Sequence, residues 1–294
     1  MMKSPRRLCV SALFFSFALY PQDFSNVTVD KVAGGFRFTE GPAWSREGFL
    51  LFSDVPNDKI IKYIPGESPT VFRENSHGAN GNVYDAQGRL YSCESRTRRV
   101  VRLDKKTGEI QVLAEKWEGK RLNAPNDIVV RKDGHVYFTD PAFGDQADKR
   151  ELDFYGVYHI TPKGELKLIA KPAGRPNGIT LSPNGRVLYV ANSDDHNVRA
   201  YDVDRNGEVS NERVVVSSVD GVPDGIRVDE KGNIYVTGKG ISIYTPQGKL
   251  LSTIQMAETP ANCAFGDADL QTLYVTARTS LYRIRLNVKG ALAY

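Results

Sequence analysis

The stretch RPNGITLSPNGRVLYVANS, residues 175–193, contains the pattern on which the fold is read. A turn at Pro183-Asn184-Gly185 feeds an apolar run, Val187-Leu188-Tyr189-Val190, the signature of a hairpin entering a β-strand. The same unit recurs as REGFLLFSD (46–54), AQGRLYSCE (86–94), KDGHVYFTD (132–140), EKGNIYVTG (230–238) and DLQTLYVTA (269–277). With Leu51, Tyr91, Tyr137, Tyr189, Tyr235 and Tyr274 as equivalent positions, the intervals are 40, 46, 52, 46 and 39 residues. A four-stranded propeller blade takes about 40–50 residues. Further β-like runs fill the gaps, among them KIIKYIP, RVVRLDK, GVYHITP and VRAYDVD, and no helical period appears outside the first 20 residues. The chain therefore reads as all-β, a six-bladed β-propeller. The period is too long for a β-helix and too regular for two sandwiches.

The quoted stretch also holds Asn177, twelve positions before Tyr189 and flanked by Pro176 and Gly178. Counting back eleven or twelve from each marker lands on Glu40, Asn80, Asn126, Asn177, Asp224 and Asn262, every one bearing a side-chain oxygen. Glycine follows four of them. The first strand of each blade lines a propeller's central channel, so six equivalent residues should converge on its axis. Turn preference alone explains a single Pro-Asn-Gly. It explains neither Glu40 nor the common phase. Two carboxylates among neutral amides make an all-oxygen donor set, which suits a hard divalent cation; the flexible coordination of Ca2+ fits best, and Zn2+, Mn2+ or Mg2+ could use the same oxygens.

Length, charge and cysteine content narrow the remaining possibilities. The 294 residues are 40% apolar and 25% charged, ordinary values for a globular domain. Lys3, Arg6 and Arg7 precede an apolar run from Leu8 to Tyr20, too short to span a bilayer comfortably. Residues 1–20 read as a signal peptide and 21–294 as one propeller domain, exported to the periplasm or secreted, with no membrane association after cleavage. Removing the leader cuts the formal net charge from +4 to +1, which gives no electrostatic case for nucleic acid. Cys93 and Cys263 fall in blades that are not neighbours and read as buried free thiols. No Gly-x-Ser-x-Gly elbow, phosphate loop or dinucleotide fingerprint is present. The polar segment GDQADKRELDFYG (144–156) is a lid candidate.

At Glu40-Gly41-Pro42, Pro125-Asn126-Asp127, Pro176-Asn177-Gly178, Pro223-Asp224-Gly225 and the Phe138–Pro141 segment the sequence resembles the gluconolactonase, regucalcin and luciferin-regenerating-enzyme family, across about residues 36–285. The resemblance implies a propeller with one catalytic divalent cation in the channel. It implies Glu40, Asn126, Asn177 and Asp224 as metal ligands, Asp224 also as proton shuttle, and Asn126 also as a substrate contact. Asn80 and Asn262 would stand behind the ligands, Asn80 also as a substrate contact. Some relatives carry a substrate-binding Arg just before the Asn-Asp pair; position 124 is Ala here, and Arg121 lies three residues earlier. His77, three before Asn80, is a further substrate or base candidate, as is Asp127 for the base. The implied reaction is hydrolysis of a sugar lactone, a small-molecule substrate. A cation that polarises C=O could also polarise P=O, so a phosphotriesterase is an alternative, as is a non-enzymatic propeller with a structural cation.

Overall fold

Each turn–strand unit forms the second strand of a four-stranded antiparallel sheet in the computed structural model, which describes Phe24 and residues 27–292. The leader predicted for residues 1–20 lies outside the described residues. Six such sheets are present, and their innermost strands meet in succession around a closed ring. Those strands are Thr39–Ser45, Ala79–Tyr84, Ile128–Val130, Pro176–Leu181, Ile226–Val228 and Pro260–Gly266, opening blades one to six. The markers Leu51, Tyr91, Tyr137, Tyr189, Tyr235 and Tyr274 are all buried on the second strands.

The hairpin chemistry explains why an Asp and a Tyr recur at this spacing. Asp85 accepts the backbone N–H groups of Gln87 (3.0 Å) and Arg89 (2.9 Å), closing the turn, and its other oxygen accepts Tyr91 Oη at 3.1 Å. Asp229 does the same with Lys231, Asn233 and Tyr235, and Asp267 accepts Tyr274 Oη at 2.7 Å. The turn is thereby tied to the buried strand it introduces. Between blades, apolar faces interdigitate; Trp44 of blade one stacks on Tyr274 of blade six at 5.6 Å.

Closure is made by the chain's beginning. Val29–Gly34 pairs antiparallel with Ser280–Arg285 as the outermost strand of blade six, so early and late segments share one sheet. Upstream of it, Phe24 is buried edge-on against Tyr235 at 6.1 Å. After blade six the chain crosses the lower end of the channel: Gly290 N–H bonds Leu270 O (2.8 Å) and Ala291 N–H bonds Val228 O (3.0 Å). Ala291 and Leu292 face the channel beside Pro42, Asn82, Arg227 and Phe265. Cys93 and Cys263 are free and buried.

Candidate active site

All six residues of the ring stand at the same end of the propeller, at the start of the innermost strands. In blades one, two, four and six the pairing register breaks beside them, between Glu40 and Ala43, Ala79 and Asn82, Pro176 and Ile179, and Pro260 and Asn262. In blades three and five the strand starts two residues after Asn126 and Asp224. A bulge or late start frees the side chain from the strand's alternation and re-aims it.

The glycine that follows four ring residues has a steric cause. A Cβ on Gly41 would lie 1.9 Å from Asn80 O, on Gly178 2.3 Å from Asp224 O, and on Gly225 2.3 Å from Asn262 Oδ1. Each blade's Gly lets the next blade's ring residue approach. The contact is sealed by backbone bonds: Gly81 N–H to Asn126 O (2.7 Å), Gly178 N–H to Asp224 O (2.9 Å) and Gly225 N–H to Ala261 O (2.8 Å). Hydroxyls add to the hoop, with Ser53 donating to Asn80 O (2.8 Å), Thr139 to Asn177 O (2.6 Å) and Thr237 to Ala261 O (2.7 Å). At about 1 kcal/mol each, these bonds hold the six positions rigidly around the axis.

Electrostatically the site is crowded with negative charge. Burial lifts the Glu40 carboxyl to about 7, with Asp127 adding to the rise, against hydrogen bonds from Gly41 N–H (2.9 Å) and the Asn262 side chain. Asp224 is held well above the usual carboxylate range by burial and by the charges of Glu40 and Asp127, with a bond from the Asn177 side chain and the positive charge of Arg278 opposing. The charge of Glu40 thus reaches Asp224, and the two repel. Asn177 Nδ2 also donates to Ser193 Oγ (3.1 Å), and that hydroxyl donates to Pro223 O (2.7 Å), which locks the residue before Asp224. Asn80 Oδ1 is buried without a hydrogen-bond partner among the described residues. Asn82 braces it from below, donating to Asn80 O (3.0 Å), Gly41 O (2.9 Å) and Ser53 Oγ (2.8 Å).

Two paired acids repelling each other and a buried orphan amide oxygen are the features a bound cation would relieve, so the residues present fit a divalent metal. Among the described residues no three His, Cys, Asp or Glu side chains cluster to hold one. Such an ion would therefore depend on amide oxygens as well as on Glu40 and Asp224.

Asp127 occupies the place that glycine holds in four other blades. Its carboxylate accepts Ile128 N–H (2.9 Å) and Ile179 N–H (3.3 Å) and pairs with Arg227 Nη1 at 3.2 Å. With both oxygens committed, Asp127 anchors blades three, four and five, and it does not stand free as a base. Arg227 escaped the sequence reading. Its signal was available: it sits three residues after Asp224, where the other blades carry Ala43, Val83, Val129, Thr180 and Phe265. Asn126 is placed by Asp140, whose carboxylate accepts Asn123 N–H (2.8 Å) and Ala124 N–H (2.7 Å); burial pushes Asp140 up to about 7.

Two sequence candidates make no hydrogen bond to the ring among the described residues. Arg121 is exposed on a short hairpin, its guanidinium donating to Thr97 O (3.3 Å) and its N–H to Glu151 (2.8 Å). His77 sits half-buried in a left-handed turn ahead of blade two (φ 58°), and among the described residues no hydrogen bond ties its ring to the six. The loop proposed as a lid carries a 3-10 turn at Gly144–Lys149 and is strapped down by Arg98, which bonds Gln146 Oε1 (3.1 Å) and Lys149 O (2.7 Å).

Access is from the ring end, through a recess of about 260 Å³ lined by Phe38, Val222, Asp224, Lys239, Pro260 and Arg278, among others. A larger cavity of about 510 Å³ lies at the opposite end, but its buried guanidinium, Arg131, is already bonded to Asp133, Asp204 O and Arg205 O.

The sequence of residues 38–279 matches the SMP-30/Gluconolactonase/LRE-like region. The chain belongs to that family. A gluconolactonase of Zymomonas mobilis is 33% identical, the match covering 89% of this chain and 82% of the relative. The solved structure of a Xanthomonas campestris gluconolactonase superposes with a TM-score of 0.82 at 31% identity, covering 89% of this chain and 90% of the other. Human regucalcin is 26% identical over 82% of this chain and 83% of its own. An Agrobacterium tumefaciens regucalcin described as calcium-binding shares the fold, with a TM-score of 0.74 at 18% identity over 88% of this chain and 95% of its own.

Proposed function

We propose that the protein is a divalent-metal-dependent lactonase that opens a sugar lactone of the aldono-1,4 or 1,5 type. The observation that carries this is the pair Glu40 and Asp224 at equivalent positions of the channel ring, Glu40 buried and its charge acting on Asp224, each ionising only at an electrostatic cost that a cation would remove. Family membership and the gluconolactonase relatives support the choice of an ester-type ring as substrate. Glu40, Asn126, Asn177 and Asp224 would hold the ion, with Asn80 and Asn262 behind them. When bound, a Lewis-acidic cation supplies carbonyl polarisation and charge stabilisation for the oxyanion.

The chain's own residues do the rest. Asp224, partly exposed to the recess, accepts a proton from the attacking water and returns it to the leaving alkoxide. Asn177, braced by Ser193, fixes the carboxyl's orientation through its side-chain bond. Phe38, Val222 and Pro260 give the ring an apolar wall and displace water. Arg227 and Asp127 hold the channel below the site in a fixed charge pattern. Residues 1–20 as an export leader would place the mature enzyme outside the cytoplasm; N-terminal sequencing of exported protein tests this.

Glucono-1,5-lactone turnover, followed by acid release with and without chelator and alongside metal analysis of purified protein, tests the assignment. The expected result is loss of turnover on chelation, recovery with Ca2+, and no turnover in Asp224→Asn or Glu40→Gln. Full activity in either variant at ordinary calcium overturns it. An organophosphate triester in the same assay separates the phosphotriesterase alternative.

A further inference from the structure

The turn joining the second and third strands has one residue in the left-handed region in blades one, two, four and six: Asp58 (φ 59°), Arg98 (φ 59°), His196 (φ 52°) and Arg278 (φ 46°). Three of the four spend their side chains tying one blade to the next. Asp58 accepts Gly78 N–H at 2.7 Å; Arg98 bonds Gln146 and Lys149; His196 Nδ1 contacts Gly221 O at 2.6 Å. Arg278 breaks the pattern. Among the described residues its guanidinium has no hydrogen bond and no ion pair, and its charge instead acts on Asp224. Its backbone is pinned nonetheless, its carbonyl accepting Thr39 N–H (2.8 Å) and Thr39 Oγ1 (3.3 Å).

Lys239 stands across the same recess in the corresponding turn of blade five. It too is exposed, and its ammonium has no partner among the described residues, while its N–H is held by Asp220 O at 2.9 Å. Gly221 packs so tightly here that a Cβ would lie 2.4 Å from Lys239 N. Of the nearby acids, Asp220 is exposed beside Lys239, and one other is already committed. Glu258, in the loop ahead of blade six, is taken up by Lys31 (3.3 Å), Tyr282 (2.9 Å), Ser280 and Thr279. Two cations on fixed backbones, with uncommitted heads, therefore flank the recess that opens onto Asp224. With a divalent ion offsetting Glu40 and Asp224 and with Arg227 paired to Asp127, they leave the mouth positively charged. Guanidinium is matched to carboxylate by its planar fork.

We propose that Arg278 and Lys239 form a carboxylate-binding subsite and that the preferred substrates are lactones carrying a second, free carboxylate: lactones of aldaric rather than simple aldonic acids. The reading of the substrate class rests on the lactonase assignment; the anion site itself does not.

Two measurements on the full-length mature protein separate them. In the first, kcat/KM is compared for D-glucaro-1,4-lactone and glucono-1,5-lactone in the wild type and in Arg278→Ala/Lys239→Ala. The ratio of anionic to neutral substrate should fall at least tenfold in the variant, and 0.5 M NaCl should erode the wild-type ratio. A ratio within twofold of wild type overturns the substrate class. In the second, calorimetry with D-glucarate and D-glucitol reads binding directly. The variant should bind glucarate at least tenfold more weakly, and neither protein should bind glucitol. Equal glucarate binding by both proteins overturns the subsite whatever the turnover shows. If neither lactone is turned over while glucarate binding depends on Arg278 and Lys239, the lactonase reading fails and the anion site stands. Arg278→Lys, which keeps the charge and loses the fork, should retain part of the glucarate affinity.

Discussion

Replacing Glu40 with Gln should stabilise the metal-free protein, and by an amount that depends on pH. The Glu40 carboxyl titrates at about 7 in the folded chain against 4.5 for the free group, because burial and Asp127 disfavour its charge. Below the unfolded value both states carry the proton and nothing is lost. Between the two values the unfolded chain ionises and the native one does not, so stability falls as pH rises. Above the folded value the whole difference is present. At about 1.4 kcal/mol per pKa unit the loss amounts to about 3 kcal/mol at pH 8. Glu40→Gln keeps the shape and the acceptor for Asn262 while removing the charge. Urea unfolding in chelator should therefore show the variant about 3 kcal/mol more stable than wild type at pH 8, with the gap closing by pH 4.5. On the proposed metal site, added Ca2+ should reverse the order, since only the wild type retains both carboxylates that would hold the ion. A gap of the same size at both pH values would show that the acid is not buried against its neighbours, and the argument for a cation site would go with it.

Three more outcomes test the architecture. Gly225→Ala drives a Cβ to 2.3 Å from Asn262 Oδ1; overpacking of this kind costs about 1–3 kcal/mol, and thermal unfolding should drop by several degrees with lactone turnover impaired. Ending the chain at Lys289 removes the Gly290 and Ala291 bonds that cover the lower channel. At about 1 kcal/mol per bond, urea unfolding should register a loss of about 2 kcal/mol, and an unchanged midpoint would mean the tail is not seated. Cys93 and Cys263 are fully buried and burial raises both thiols, Cys263 to about 12. Ellman's reagent should react with them only on unfolding; rapid reaction in native buffer would contradict their placement.

The repeat, the blade count and the six ring positions were legible because they are periodic. A turn, a buried aromatic and a polar residue at a set distance recur whenever the same hairpin is built again. Asp85 and Asp229 show the local chemistry that enforces the period, each closing its own turn and holding the Tyr six residues on, and Asp267 holds the Tyr seven residues on. Arg121 and His77 were proposed from nearness in sequence to ring motifs, and among the described residues neither makes a hydrogen bond to the ring. Arg227 was overlooked because its partner, Asp127, lies 100 residues away.

What the sequence by itself determined is therefore everything that repeats: strand order, blade number and which residues share a phase. The tertiary structure alone decided what breaks the repeat. It set Arg227 against Asp127, left Arg278 uncommitted where Asp58, Arg98 and His196 are spent, and carried Val29–Gly34 round to close blade six. The reason is physical. Hydrogen bonding within a hairpin acts over a few residues and leaves its mark locally, whereas charge pairing at a hub joins residues from separate blades, and only ring closure brings those together.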